Sequence, residues 1–179
     1  QRQMCIETGV ILRPAAIYGP GDPERFFMIF RRVASGKFPM FGSGETFYHP
    51  LYIDNLVDAL VLAMEPGKGD GEEFLIADEN YLSIEDLVTK VGQAMSVDVK
   101  IRHYPLLPLI VAGHVCEKAG KPFRINPPIF PRRVDWYRQN RAFSIDKAKR
   151  LLGYQPKVDI DEGLKRTFEW YRSEGLLDQ

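Results

Sequence analysis

Arg13-Pro14-Ala15-Ala16-Ile17-Tyr18-Gly19-Pro20-Gly21-Asp22 decides how this chain is read, because an apolar strand runs straight into a turn dense in glycine and proline. In an α/β sheet, such a strand end is where a ligand is usually held. The preceding Gly9-Val10-Ile11-Leu12 is short and β-branched. It reads as a buried strand of a parallel sheet, led in by a helix from Gln1 to Thr8. Taken alone, Gly19 to Asp22 serves equally well as a tight turn ahead of the next helix.

Outward from this stretch, the hydrophobic period alternates between helix and strand. Asp22 as N-cap and Pro23 at the first helical position start a helix to Ser35, with Phe26, Phe27, Phe30 and Val33 at helical spacing. Phe38 to Phe41 and Thr46 to Ile53 are short strands around the Gly42-Ser43-Gly44 turn. Asp54 is expected to cap a helix whose Leu56, Val57, Leu60, Val61 and Met64 make one apolar stripe, closed by Pro66 and the Gly67 to Gly71 loop. Glu73 to Ala77 reads as a second parallel-sheet strand, Ser83 with Asp86 caps a helix through Met95, and Asp98 to His103 alternates as a strand. Asp159 with Glu162 opens a final helix that turns Leu164, Phe168 and Tyr171 inward.

Composition bounds the class. The 179 residues are 45% hydrophobic and 27% charged, as expected of one domain with a sizeable core. Lys and Arg number 24 against 24 Asp and Glu. That balance gives no overall electrostatic footprint for nucleic acid or an anionic membrane, and the Arg31-Arg32 and Arg132-Arg133 pairs are too short to supply one. The longest apolar run, Pro105 to Cys116, is interrupted by Pro108 and His114 and falls short of a membrane span. Cys5 and Cys116 lie far apart in expected helices, which points away from a disulfide framework and toward a reducing cytoplasm. His49, His103 and His114 have no metal-ligand spacing, so no metal is expected.

Four blocks carry a resemblance: Arg13 to Asp22; Phe41 to Ala59 (FGSGETFYHPLYIDNLVDA); Asp146 to Pro156 (DKAKRLLGYQP); and Glu162-Gly163-Leu164. In this order they resemble the C-terminal part of the extended short-chain dehydrogenase/reductases, the NAD-dependent epimerase/dehydratase family, over nearly the whole chain. The resemblance implies an α/β fold. Strands near 10–13 and 73–77 would belong to the C-terminal part of a Rossmann-like doubly wound sheet, and most of the rest would form a small mixed α/β substrate-binding lobe. The family's Gly-rich dinucleotide fingerprint is absent, as is its catalytic Tyr with Lys four residues on. None of Tyr18, Tyr48, Tyr52, Tyr81, Tyr104, Tyr137, Tyr154 or Tyr171 has Lys at that place. The reading is therefore of residues 1–179 as a C-terminal fragment of a longer enzyme, with no catalytic residue of its own.

The resemblance implies roles for named residues. Pro14, Ala15, Ala16 and Ile17 would pass beside the nicotinamide of NAD or NADP, where small side chains let the ring approach. Phe26, Phe27 and Met40 would belong to a wall of the substrate cleft, with Tyr48 and His49 beside it and Arg132 and Arg133 placed to clamp a diphosphate. Each has a plainer alternative: a strand end that happens to be small, core packing, or a solvated basic face. One departure bears on substrate, since nucleotide-sugar members commonly carry an Arg where this chain has Tyr48-His49. The implied activity is hydride transfer to and from a substrate carbon in the full-length enzyme, of nucleotide-sugar epimerase/dehydratase type. Alternatives are a 3-beta-hydroxysteroid dehydrogenase-like or flavonoid-reductase-like oxidoreductase acting on a hydrophobic alcohol, or a non-catalytic binding module. The expected partners are a small-molecule substrate and a second copy of the chain, joined through exposed sheet or apolar faces.

Overall fold

The computed structural model describes residues 9–22, 25–111 and 135–177. The expected helix over residues 1–8, both cysteines, His114, Arg132 and Arg133 lie outside the described residues.

The segment that opens the description is a strand that changes neighbour midway. Its first half, β1 (Ile11–Pro14), pairs in parallel with β6 (Glu73–Ile76). Its second half, β2 (Ala16–Tyr18), pairs in parallel with β5 (Pro50–Tyr52). The exchange occurs at Ala15, whose amide bonds Ile76 O at 2.8 Å while the Ala16 amide reaches His49 O at 3.3 Å. The turn beyond Tyr18 needs glycine. Gly19 has φ 146° and a side chain there would meet Ile53 Cγ2 at 2.6 Å.

Two further pairs complete the strands: β3 (Lys37–Phe41) runs parallel to β8 (Lys100–Tyr104), and β4 (Phe47–Tyr48) runs antiparallel to β7 (Leu82–Ser83). The helices are α1 (Arg25–Ala34), α2 (Ile53–Ala63), α3 (Ile84–Ala94), α4 (Asp146–Leu152) and α5 (Ile160–Ser173). Three caps act as the sequence implies: Asp22 accepts from the Phe26 amide at 3.2 Å, Ser83 from Asp86 at 3.0 Å, and Asp159 from Glu162 at 2.9 Å.

Apolar side chains gather into two cores. One joins α1, β3, α3 and α5 through Phe26, Phe30, Val33, Met40, Leu87, Val91, Leu164 and Tyr171. The other joins β6, α2 and α4 through Ala59, Phe74, Ile76, Ala148, Leu152 and Tyr154. Strand β5 divides them, because its side chains alternate: Leu51 enters the second core and Tyr52 the first.

Two expectations change. Strand β1 is exposed, with Ile11 48% accessible, because among the described residues only β6 pairs with it. Asp54 does not cap α2; the N-cap is Tyr52, without a side-chain cap bond, and Asp54 sits in the first helical turn. Helix α2 follows β5 without a loop, so a carboxylate from elsewhere, Asp78, takes the Tyr52 amide at 3.0 Å. That helix buries Asn55 and Ala59 and turns Val57, Leu60, Val61 and Met64 outward, Met64 being 74% accessible.

Close packing fixes one more glycine. A side chain on Gly163 of α5 would collide with Tyr18 Oη and stand 3.0 Å from both Tyr18 Cζ and Tyr52 Cδ2. Tyr18 is stacked on Phe26 at 4.7 Å and its hydroxyl has no hydrogen-bond partner among the described residues, so it cannot yield without opening the core. Gly163→Ala should therefore lower stability by about 1–3 kcal/mol in urea unfolding, from overpacking. Tyr18→Phe, which removes the unpartnered hydroxyl, should leave stability unchanged or raise it and should relieve part of the Gly163→Ala cost.

Candidate functional site

Hydrogen bonds between segments build the ground on which a site could stand. The Asp78 carboxylate, just beyond β6, is buried and accepts from the Tyr52 amide at 3.0 and 3.1 Å and from Asn55 Nδ2 at 2.7 Å. Asn55 also donates to Val158 O at 2.8 Å and accepts from the Lys157 and Val158 amides at 2.9 and 3.0 Å. One side chain thus ties β5, β6 and the approach to α5. Burial lifts the Asp78 carboxyl to about 6, against the opposing pull of Asn55 and the Tyr52 amide.

His49 belongs to the same scaffold. Its Nδ1 accepts from the Phe143 amide at 3.1 Å, which assigns the remaining proton to Nε2, and that nitrogen donates to Asp78 O at 2.9 Å. Burial pushes the imidazole below its ordinary value and holds it neutral. Both ring nitrogens are therefore spent on main chain, and the ring fixes β5 against the 143 segment.

Other sequence candidates divide between surface and core. Pro14 and Ile17 are exposed at the strand end, Ile17 by 39%, and Ala15 and Ala16 are half-buried beside them. Pro14 and Ile17 thus face outward, while Ala15 packs against the second core. Phe26 and Met40 are fully buried in the first core and present no face to a ligand. Phe27 is half-buried against Tyr171 at 5.3 Å. Tyr48 is half-buried, between Phe26 at 6.1 Å and Trp136 at 6.2 Å.

An aromatic cluster stands where sequence reading placed only single residues. Phe41 lies 5.8 Å from Tyr104 and 5.6 Å from Tyr137; Tyr137 lies 4.9 Å from Trp136, which reaches Tyr48. The 135–141 segment is stitched to β4 by Thr46 Oγ1 donating to Tyr137 O at 2.9 Å, the Phe47 amide to Asn140 Oδ1 at 2.9 Å, and the Arg141 amide to Phe47 O at 2.9 Å. Trp136 and Tyr137 were missed as site residues. The signal available was a pair of adjacent aromatics separated from Arg132-Arg133 by Val134 and Asp135.

No proton-transfer pair accompanies these surfaces among the described residues. Tyr18, Tyr52, Tyr137, Tyr154 and Tyr171 are all held above the ordinary phenol range, chiefly by burial, the reverse of what a tyrosine base requires. No group of three or more His, Cys, Asp or Glu is placed to hold a metal among the described residues, and no described helix is long and apolar enough to cross a membrane.

The raised Asp78 carboxyl has a measurable consequence. With a folded value of about 6 against an ordinary 3.8, the folded chain binds this proton more tightly than the unfolded chain does. The cost of burying the carboxylate is absent below about pH 4, grows as pH rises, and is complete above about pH 6, at roughly 3 kcal/mol. His49 acts oppositely, since protonating it removes its acceptor for the Phe143 amide. The readout is thus a difference: unfolding stability of Asp78→Asn relative to the native chain should rise by roughly 2–3 kcal/mol between about pH 4 and 7.

Comparison with known proteins gives this arrangement its place. Residues 4–102, more than half of the chain, match the 3-beta hydroxysteroid dehydrogenase/isomerase family. A decarboxylating sterol-4-alpha-carboxylate 3-dehydrogenase of Saccharomyces cerevisiae is 33% identical over 180 residues, spanning 93% of this chain and 50% of that protein. Among solved structures, a UDP-glucose 4-epimerase from Thermotoga maritima, with UDP-glucose, superposes with TM-score 0.66 and 29% identity over 92% of this chain and 46% of its own. A Bacillus cereus UDP-glucuronic acid 4-epimerase, in complex with UDP-glucuronic acid and NAD, shares the fold with TM-score 0.64 at 22% identity over 92% and 45%. The chain spans about half the length of the relatives it matches. Its mixed α/β architecture of parallel strand pairs is that of these enzymes, and the chain belongs to the 3-beta hydroxysteroid dehydrogenase/isomerase family.

Proposed function

We propose that this chain is the substrate-binding portion of an NAD(P)-dependent oxidoreductase acting on a hydrophobic alcohol, with hydride transfer completed by residues from a dinucleotide-binding half. The observation that carries the reading is the aromatic cluster of Phe41, Tyr48, Tyr104, Trp136 and Tyr137. Rings at edge and tilted angles offer a broad apolar wall suited to a fused-ring or similarly flat substrate. His49, spent on main chain, is no substitute for the Arg that clamps diphosphate in nucleotide-sugar members. A nucleotide-sugar substrate is the second reading, favoured by the likeness to the Thermotoga epimerase.

Pro14, Ala15, Ala16 and Ile17 fit a nicotinamide by size and by exposure at the strand end. The cofactor would supply the hydride acceptor; this chain's own part is to shape the wall, exclude water and orient the alcohol. Tyrosines raised in pKa leave the proton transfer to the other half. The outward stripe of Val57, Leu60, Val61 and Met64, with Ile11 and Leu75, is an apolar surface such a half would cover.

Two measurements test this. In the full-length enzyme, Trp136→Ala should raise KM for a 3-beta-hydroxysteroid about ten-fold with a smaller change in kcat, followed by NADH formation. Turnover of UDP-glucose but of no sterol would decide for the second reading. The chain on its own should self-associate in sedimentation velocity, and Leu60→Lys with Val61→Lys should shift it toward monomer. A monomer in both cases would oppose the docking role of that stripe.

A further inference from the structure

A groove of about 390 Å³ opens on the small lobe, lined by Arg32, Lys37, Lys100 and Arg102 together with Ser35, Phe38, Pro39 and Tyr104. It shares no residue with the strand end at Pro14 to Ile17. Among the described residues four cations line it and no carboxylate does, although the chain as a whole is electrically balanced. Other described cations divide between those matched to acids, as in Lys90 with Asp161, Lys147 with Glu72 and Lys157 with Asp58, and solitary ones such as Arg150 and Lys165; what sets the four lining residues apart is that they gather at one groove.

The backbone register creates the cluster. Lys37 stands directly opposite Lys100 across the parallel β3·β8 pair, and Pro39 opposite Arg102. Phe38 and Met40 point to the core, so Lys37, Lys100 and Arg102 share the outer face, and Arg32 joins them from the last turn of α1. Like charges facing across a ladder are destabilising unless something neutralises them. The plainer account, basic side chains guarding an edge and answering a helix dipole, explains single residues but not four gathered around one concavity.

We propose that this groove binds a ligand carrying two or more clustered phosphates, held by Arg32, Lys37, Lys100 and Arg102. Arginine forks and lysine ammonium groups answer phosphate oxygens with charge-assisted hydrogen bonds, and Tyr104, 44% accessible, offers an apolar ring at the rim. The ligand is a soluble diphosphate or the phosphorylated headgroup of a lipid, which present the same chemistry. The site borders the proposed substrate wall, with which it shares Tyr104, but none of its four cations belongs to that wall, so loss of phosphate binding in the cation variants is separable from loss of sterol turnover in Trp136→Ala.

The test is calorimetric titration of the full chain with inorganic pyrophosphate at low salt, beside co-sedimentation with phosphatidylcholine vesicles with and without phosphatidylinositol bisphosphate. Pyrophosphate should bind with sub-millimolar affinity. Binding should weaken about ten-fold or more in Lys100→Gln/Arg102→Gln and fall steeply as salt is raised. The exposed substitutions relieve like-charge contact, so the variant should melt no lower than the native chain; Arg32→Gln, on a different element, gives a second reading of the same loss. Binding to phosphoinositide vesicles with the same variant sensitivity would assign the ligand to a lipid headgroup, and pyrophosphate binding alone to a soluble ligand. No binding of either probe at millimolar concentration, or equal binding by native chain and variants, overturns the proposal.

Discussion

The contact on which the rest of this structure depends is a buried amide. Asn55 gives its two donor hydrogens to Asp78 and to Val158 O, and its oxygen takes two main-chain amides from residues 157 and 158. Every hydrogen-bonding valence of the side chain is thereby used, so a polar group can sit in the interior without an orphaned atom. The Asp78 carboxylate it holds in turn accepts from the amide of Tyr52, the N-cap of α2. Segments far apart in sequence converge on one side chain, and any shorter or apolar residue at 55 would strand several buried partners at once.

This pin lies on the seam between two cores. Strand β5 sends Leu51 to one side and Tyr52 to the other, and the chain from β1 to β2 crosses the same seam when it changes neighbour at Ala15. The strand end, with Pro14 and Ile17 exposed and the alanines half-buried, is therefore held by both halves of the molecule. The aromatic cluster sits wholly on one side, on segments that the 135–141 stretch binds to β4. A rigid frame with a ligand-facing surface at its border is how α/β enzymes place cofactor and substrate against each other.

Local signals in the sequence survived folding where the physics was local. The caps at Asp22, Ser83 and Asp159 each found an amide within one helical turn, and Phe26, Phe30 and Val33 of α1 buried as their spacing implies, with Phe27 half-buried beside them. What escaped was decided by partners distant along the chain. Asp54 looks like a cap, but the carboxylate that meets the Tyr52 amide at the start of α2 is Asp78, just beyond β6. The apolar run in α2 has an inward face set by Asn55 and Ala59, which periodicity alone cannot identify when almost every face is apolar. Trp136 and Tyr137 join residues from β3, β4 and β8, and Lys37 meets Lys100 only through a strand register that no short window reveals.

The long reach of α5 has a consequence for synthesis. Gly163 receives Tyr18, Tyr171 donates its hydroxyl hydrogen to Asp22 O at 2.7 Å across 149 positions, and Leu164 fills the first core. A ribosome releases Tyr18 and α1 long before their closing partner exists. The small lobe must therefore wait, with Phe26 and Phe30 uncovered, until α5 emerges and docks. During that interval Phe26 and Phe30 lack their cover, so a chain interrupted before α5 would leave the lobe open.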